Sequence, residues 1–370
     1  MEKHCHNNRK IAILSMQRIV NFGSVLQAYS LREVIKEVTG ASVTFLDIED
    51  EPVCESKKSV PDSVDYNTPV DYPRGLFQRG KRWLIARLSS HNKKLIRKFM
   101  CEELKLDSEQ NAEHYDRIVV GSDEVFNHKK GIRLQLHGEV TQAEKVITYA
   151  ASCGSATVED IYPEDMDRVK SAMTRFSALS VRDAATETYV SGLYDGKTEH
   201  HLDPVLVGNL YQRTHRPVGR KKYLLVYAYG QRIRTAEEIQ AIRRFAKNRN
   251  LKIVAMGGSQ FWCDLYIPAS PFRLLDYFFF ADYVVTDTFH GTIFSVINRR
   301  KFAVISRKTN WNKLTGLLRD LHLERRLIGR MEDLEAVLTE EIDYDEVELI
   351  LDRERLRARE YLKKHLGGQS

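Results

Sequence analysis

Apolar residues along this chain fall into short continuous runs that alternate with longer stretches in which they recur at helical spacing. The first run, residues 10–15 (KIAILS), precedes an amphipathic stretch over 24–38 and a second run at 42–48 (SVTFLDI), the pattern of a β–α–β unit. Runs bounded by turn residues follow at 117–123 (RIVVGSD), 146–152 (VITYAAS) and 178–183 (ALSVRD), and they predict further parallel strands. The alternation starts afresh at 222–230 (KYLLVYAYG). Its next helix opens with Thr235 and Glu238 in capping-box spacing and leads to a strand at 251–258 (LKIVAMGG). Ser270-Pro271 opens another helix, because serine caps well and proline suits the first helical position, and YVVT and KFAVI supply later strands. The spacing predicts an α/β chain of two Rossmann-like, doubly wound domains, over 1–215 and 216–345, facing each other across a cleft. A charged helix over 346–370 is expected to return to the first of them.

The length of 370 residues also suits two domains better than one. With 42% hydrophobic and 29% charged residues, the chain has the apolar material for two cores, which excludes a disordered or fibrous protein. No apolar run approaches the roughly 18 residues of a membrane span. Residues 1–9 are polar and carry no apolar leader, so a cytoplasmic location is expected. The five cysteines, Cys5, Cys54, Cys101, Cys153 and Cys263, stand far apart without a CxxC pair and read as reduced thiols. Cys153 in particular reads as a buried, inert one.

Charge changes the picture in one place. The net charge is +6, yet residues 74–101 hold nine Lys/Arg and no Asp or Glu, so the remainder of the chain is net negative. Trp83, Leu84, Leu88, Leu95, Ile96 and Phe99 recur through that stretch at helical spacing, which predicts a basic helical insertion at about 74–101. Its apolar side packs on the body of the protein, and its cationic side is either solvated or set against an anionic membrane surface. No zinc-finger or RNP signature is present, and a nucleic-acid partner is not expected.

In open parallel sheets, ligands bind beyond the carboxyl ends of the strands, so chemistry belongs in the turns that follow them. The first such turn, 16–24 (MQRIVNFGS), has one glycine where a dinucleotide fingerprint has three, and it lacks a P-loop. Its segment 21–24 still leaves backbone N–H groups at a helix start, which suits an anion or a polar ligand. The sharpest local feature is 284–297 (VVTDTFHGTIFSVI), where a strand delivers Asp287, Thr288 and His290 into a helix and Gly291 permits tight backbone. There His290 fits a base or a donor to a phosphate oxygen, with Asp287 setting its orientation. Arg307, Lys308 and Lys313 come after the next strand, at the same sheet edge, and would complete a cationic pocket.

Six of these turns occur in a fixed order: NFGSVLQAYSL (21–31), VGSDEVFN (120–127), YAASCG (149–154), SVRD (180–183), Asp203-Pro204 and TDTFHG (286–291). In that conjunction the chain resembles the polysaccharide pyruvyl transferase family from about residue 10 to about residue 325. The resemblance implies a fold similar to the two-domain GT-B glycosyltransferases, with the active site between the domains. It implies transfer of a pyruvyl group from phosphoenolpyruvate to two hydroxyls of a sugar in a cell-surface or exopolysaccharide precursor, a lipid-linked acceptor being one form. No metal or organic cofactor is implied. His290 matches the functional histidine of the family and Arg182 its SVR arginine, while Lys313 is a looser match to a functional lysine. The expected catalytic pair is then His290 and Asp287; Arg182, Lys313, Thr288, Gly291 and Arg307 bind the donor. Asn21, Gly23, Gln27, Ser122, Asp123, Glu124 and Asn127 line the cleft or hold the acceptor.

The chain departs from the family pattern at Phe22, Glu124, Phe126, Cys153, Asp183 and Thr288. Glu124 stands where a neutral glutamine is usual, beside the expected donor or acceptor, and Phe126 replaces a tryptophan, a loss of an indole N–H that would alter which sugar is held. Two other readings fit the same architecture: glycosyl transfer from a sugar nucleotide, and a non-catalytic protein that binds a glycan or a phosphorylated metabolite.

Overall fold

The computed structural model describes residues 9–48, 52, 54, 76–107, 114–129, 131–219, 221–307 and 309–367. Residues 1–8, Arg74 and Lys308, and the side chain of Arg79, lie outside the described residues. The first half of the chain runs β1 (Lys10–Leu14), α1 (Phe22–Thr39), β2 (Ser42–Phe45), α2 (Leu76–Glu102), β3 (Arg117–Asp123), β4 (Val146–Ala151), α3 (Pro163–Met173), β5 (Phe176–Val181), α4 (Ala184–Ser191), β6 (Thr198–His200) and α5 (Pro204–Val207). Its six strands form one parallel sheet in the order β2-β1-β3-β4-β5-β6.

The second half runs β7 (Tyr223–Ala228), α6 (Ala236–Asn248), β8 (Lys252–Gly257), β9 (Leu265–Tyr266), α7 (Pro271–Phe279), β10 (Tyr283–Thr286), α8 (Phe289–Ile297), β11 (Phe302–Ile305), α9 (Trp311–Asp320), β12 (Leu327–Ile328), α10 (Leu334–Thr339) and α11 (Tyr344–Leu366). Here too all six strands are parallel, in the order β12-β11-β10-β7-β8-β9. Each sheet reverses its winding once, between β1 and β3 in the first and between β7 and β10 in the second, and the turns after those strands flank the two switch points. The predicted strands of the sequence pattern are present. β6, β9 and β12 escaped it, because two or three residues at a sheet edge carry no readable period.

The helix starts follow local chemistry. Asn21 caps α1 by accepting from the Gly23 N–H, and Gly40 ends that helix with φ +66°, a left-handed conformation that favours glycine. Thr235 and Glu238 form the predicted reciprocal box on α6, and Ser270 caps α7 with Pro271 in its first turn. One apolar cluster runs through both halves: Val25, Leu26 and Leu31 of α1 join Val205 and Leu206 of α5, Leu274 and Phe278 of α7 and Phe294 of α8. The outer faces of the two sheets are covered separately. Two long helices cross from one half to the other. The basic stretch is one helix, α2, whose Ile85 belongs to the core of the second half while Ile96 and Phe99 pack with α1. In α11, Tyr344 donates to the Arg300 carbonyl at 2.5 Å, and Tyr361 near the other end donates to the Thr148 carbonyl at 2.9 Å.

Candidate functional site

Because every strand of a sheet is parallel, all the turns that follow them lie at one edge, and the two edges meet at the junction of the halves. His290 is the second residue of α8. Its imidazole lies directly on the start of α1: a Cβ on Gly23 would come within 2.2 Å of His290 Nδ1. Only a residue without a side chain leaves room for the ring. On its other nitrogen, His290 Nε2 is 3.6 Å from Asp203 Oδ2 and has no hydrogen-bond partner.

Asp203 is fully buried at the start of α5, where its carboxylate accepts from the Val205 N–H and from Arg182 Nη1 at 2.8 Å. Burial alone would raise its pKa, but His290, Arg182 and the Val205 N–H outweigh burial and hold the carboxyl below its ordinary range. Arg182, in the turn after β5, is buried as well, stacks on the Phe289 ring at 4.3 Å and leaves Nε without a partner. Burial works against its charge, yet Asp203, Asp123, Asp183 and Glu124 together raise its pKa.

Beside this group, one ion pair ties the halves together. Lys313, in the first turn of α9, donates to Glu124 Oε1 in the turn after β3, and Asn127 Nδ2 donates to the other carboxylate oxygen at 2.7 Å. Burial would push Glu124 up. Lys313, Asn127 and Arg182 overcome burial and bring it down to about 2. Gly154, at φ +65°, passes so close that a Cβ there would meet Glu124 Oε2 at 2.5 Å. Asp123 itself has φ +75° and is held by Ser24, whose hydroxyl donates to Asp123 Oδ2 at 2.7 Å. Tyr229, in the turn after β7, faces the same acids with 46% of its surface exposed; partial desolvation first, then Glu124, Asp123 and Asp287, raise its phenol.

The remaining expected residues are placed differently. Asp287 does not orient His290. It turns into the second half, with Oδ2 at 3.0 Å from Arg232 Nε and 3.7 Å from Arg307 Nε, and Asp203 takes the position beside the imidazole. Burial raises the Asp287 carboxyl to about 6, with Arg232 and Arg307 opposing. Arg307 is committed to that same cluster, donating to Glu238 Oε1 at 2.5 Å and to the Arg232 carbonyl at 3.1 Å. The Thr288 hydroxyl caps α8 by accepting from the Gly291 N–H, and Gly291 has no room for a Cβ beside Thr286 Oγ1. Gln27 and Ser122 are buried within the first half: Gln27 Nε2 donates to Ser15 Oγ, and Ser122 Oγ donates to the Ala150 carbonyl.

Phe126 does not line the junction either. It is fully buried and stacked on Tyr189 at 6.0 Å, so the missing indole N–H belongs to a core position and not to a sugar contact. Phe22 is buried near Tyr227, and the Cys153 thiol is buried and pushed up to about 12, chiefly by that burial. Sequence reasoning assigned no site role to Asp203, Arg232 or Tyr229. The Asp203-Pro204 step could have flagged the first, since an acid before a helix-opening proline is a cap; Arg232 and Tyr229 carry no local signal. A cavity of about 750 Å³ lies elsewhere, beside α1 and β2; its cations Arg18, Arg32, Lys36 and Lys105 face the acids Glu33, Asp47, Glu102, Glu103 and Asp107, so its lining carries no excess of positive charge for an anionic ligand.

The sequence profile of the family described as polysaccharide pyruvyl transferase matches residues 21–309. No curated protein matches the chain in sequence. Among solved structures, the S. aureus MnaA–UDP co-structure is similar at a TM-score of 0.50 and 11% identity, covering 97% of each chain. A Listeria monocytogenes protein assigned as a UDP-N-acetylglucosamine 2-epimerase has a TM-score of 0.51 and 10% identity, again over 97% of each chain. At such identities the likeness is one of fold.

Proposed function

The chain belongs to the polysaccharide pyruvyl transferase family, and from that premise we propose that it transfers the pyruvyl group of phosphoenolpyruvate to two hydroxyls of a saccharide. The reaction has fixed needs. The enol carbon C3 gains a proton and becomes a methyl group, a sugar hydroxyl bonds to C2, the C2–O bond to phosphate breaks, and a second hydroxyl closes the ketal. Of the two hydroxyl protons, one balances the proton gained at C3 and the other leaves with phosphate or solvent. Cations must hold the donor's carboxylate and phosphate, and one group must move protons. This chemistry requires no metal or organic cofactor.

One observation carries the reading: Arg182, His290 and Lys313 converge where the halves meet, and both Arg182 Nε and His290 Nε2 are buried without a hydrogen-bond partner. Unsatisfied buried donors and acceptors are costly, and an anionic substrate would satisfy them. In this assignment Lys313 and Arg182 hold the donor's anionic groups, and His290 moves protons or contacts phosphate. Asp203 keeps Arg182 and His290 in place from behind. The test is calorimetric titration with phosphoenolpyruvate, beside a His290→Ala variant and with a sugar nucleotide as competitor. Saturable binding weakened by the variant is expected. Binding of the sugar nucleotide alone would replace the proposal with glycosyl transfer, and donor binding without phosphate release on any saccharide would replace it with a binding protein.

A further inference from the structure

The outward face of α2 plays no part in the site. Its inward face accounts for the fold: Ile85, Asn92, Ile96, Phe99 and Met100 are buried, Lys81 Nζ donates to the Cys263 carbonyl at 2.7 Å, and Asn92 Oδ1 accepts from the Ala269 N–H at 3.0 Å. That anchoring fixes which residues point away. At 100° per residue, Trp83, Arg87, Lys94, Arg97 and Lys98 fall on one stripe centred opposite the buried face, and all are exposed. Trp83 is 65% exposed with the Arg87 guanidinium over its ring at 5.7 Å, and Leu84 at the stripe's edge is 48% exposed. No Asp or Glu occurs between residues 74 and 101; the nearest acid along the helix, Glu102, pairs with Lys98 at 3.6 Å.

We propose that this stripe of α2 seats the protein on an anionic lipid bilayer, with Trp83 and Leu84 entering the headgroup region and Arg87, Lys94, Arg97 and Lys98 meeting lipid phosphates. Two observations together select a bilayer. A row of cations alone would suit any polyanion, but a largely exposed indole and leucine on the same helix gain nothing from a hydrated polyanion and gain apolar burial at a membrane interface. Among the described residues no helix is long and apolar enough to cross a membrane, so contact at the surface is the form that α2 supports. Since α2 is pinned to both halves, seating it orients the whole molecule.

The experiment is co-sedimentation of the full chain with vesicles of phosphatidylglycerol and phosphatidylcholine, against phosphatidylcholine alone, at low and high salt. Binding to the anionic vesicles is expected. The triple charge reversal Arg87→Glu, Lys94→Glu, Arg97→Glu should lower the partition coefficient by at least about tenfold, since each cation near an anionic surface contributes. Trp83→Ala with Leu84→Ser should weaken it at both salt concentrations. In addition, vesicles should blue-shift the tryptophan emission, and Trp83→Phe should abolish that shift. All substituted side chains are exposed, and an unchanged melting temperature certifies the fold. Absence of vesicle binding, binding indifferent to either variant set, or binding to heparin or RNA in the absence of vesicle binding would overturn the proposal.

Discussion

The ion pair between Glu124 and Lys313 must open for an anionic donor to reach the lysine, and this makes Glu124→Gln the most informative single change. The Glu124 carboxylate engages the Lys313 ammonium that the donor's phosphate or carboxylate would take. Both side chains are mostly buried, so solvent screens the pair only in part. A hydrogen bond to a charged group is worth about 1.5–3 kcal/mol. At about 1.4 kcal/mol per factor of ten, releasing Lys313 from it should tighten donor binding by about 10- to 150-fold. The lower end applies here, because glutamine keeps a carbonyl that still accepts from Lys313 or Asn127. The same pair links the two halves, so the substitution should also lower the melting temperature. Glu124 is held at about 2 in the fold, against an ordinary 4.5; its stabilising contribution is therefore complete above about pH 4.5 and lost as pH falls toward 2, and the variant should lose that acid dependence. The assay is calorimetric titration with phosphoenolpyruvate at low ionic strength, with thermal unfolding alongside and Lys313→Gln as the opposing control. Opposite signs on the two readouts, tighter binding and lower stability, are the expected result. Weaker or unchanged donor binding by Glu124→Gln would refute the reasoning that this carboxylate competes for the donor's place.

Other outcomes follow from the same geometry. Gly23→Ala places a methyl group where the His290 ring lies, so the imidazole must move; turnover should fall at least about tenfold, and the overpacking should cost about 1–3 kcal/mol and lower the melting temperature, as kinetics and calorimetry will read. Asp287, raised by burial to about 6, binds its proton more tightly in the fold than in the unfolded chain, so its ionisation costs stability as pH rises from about 4 through 6. The melting temperature of the protein, measured relative to that of Asp287→Asn, should accordingly drop across that window; a constant difference would contradict the assignment. Phe126→Trp overfills a closed aromatic stack and should cost about 1–3 kcal/mol in denaturant unfolding without changing saccharide preference.

Much of this architecture was legible from periodicity alone. The buried runs beginning at Lys10, Arg117, Tyr223 and Lys252 form strands, because a strand covered on both faces reads as an uninterrupted apolar run. Caps at Thr235 and Ser270 marked helix starts correctly, since a cap is a local hydrogen bond and needs no knowledge of the rest of the fold. The site was legible only as a set of turns. That His290 meets Gly23, and Lys313 meets Glu124, depends on how the two sheets face each other, and no window of sequence encodes that. Proximity along the chain misled for Asp287: three residues from His290, it belongs to an arginine cluster inside the second half, whereas Asp203 arrives from the first. The basic helix was visible as an amphipathic pattern, but not that Trp83 would lie on its outer face while Ile85 holds it to the second half.

The central claim, that the donor's anionic groups lie between the halves on Lys313, Arg182 and His290, is tested most directly by a crystal structure of the protein with phosphoenolpyruvate bound. The account predicts the ligand at the start of α8, within hydrogen-bond reach of His290 Nε2 and of Lys313 Nζ, with the Glu124 carboxylate turned away from that lysine. A donor bound elsewhere, or one bound at the junction while Glu124 and Lys313 remain paired, would contradict it.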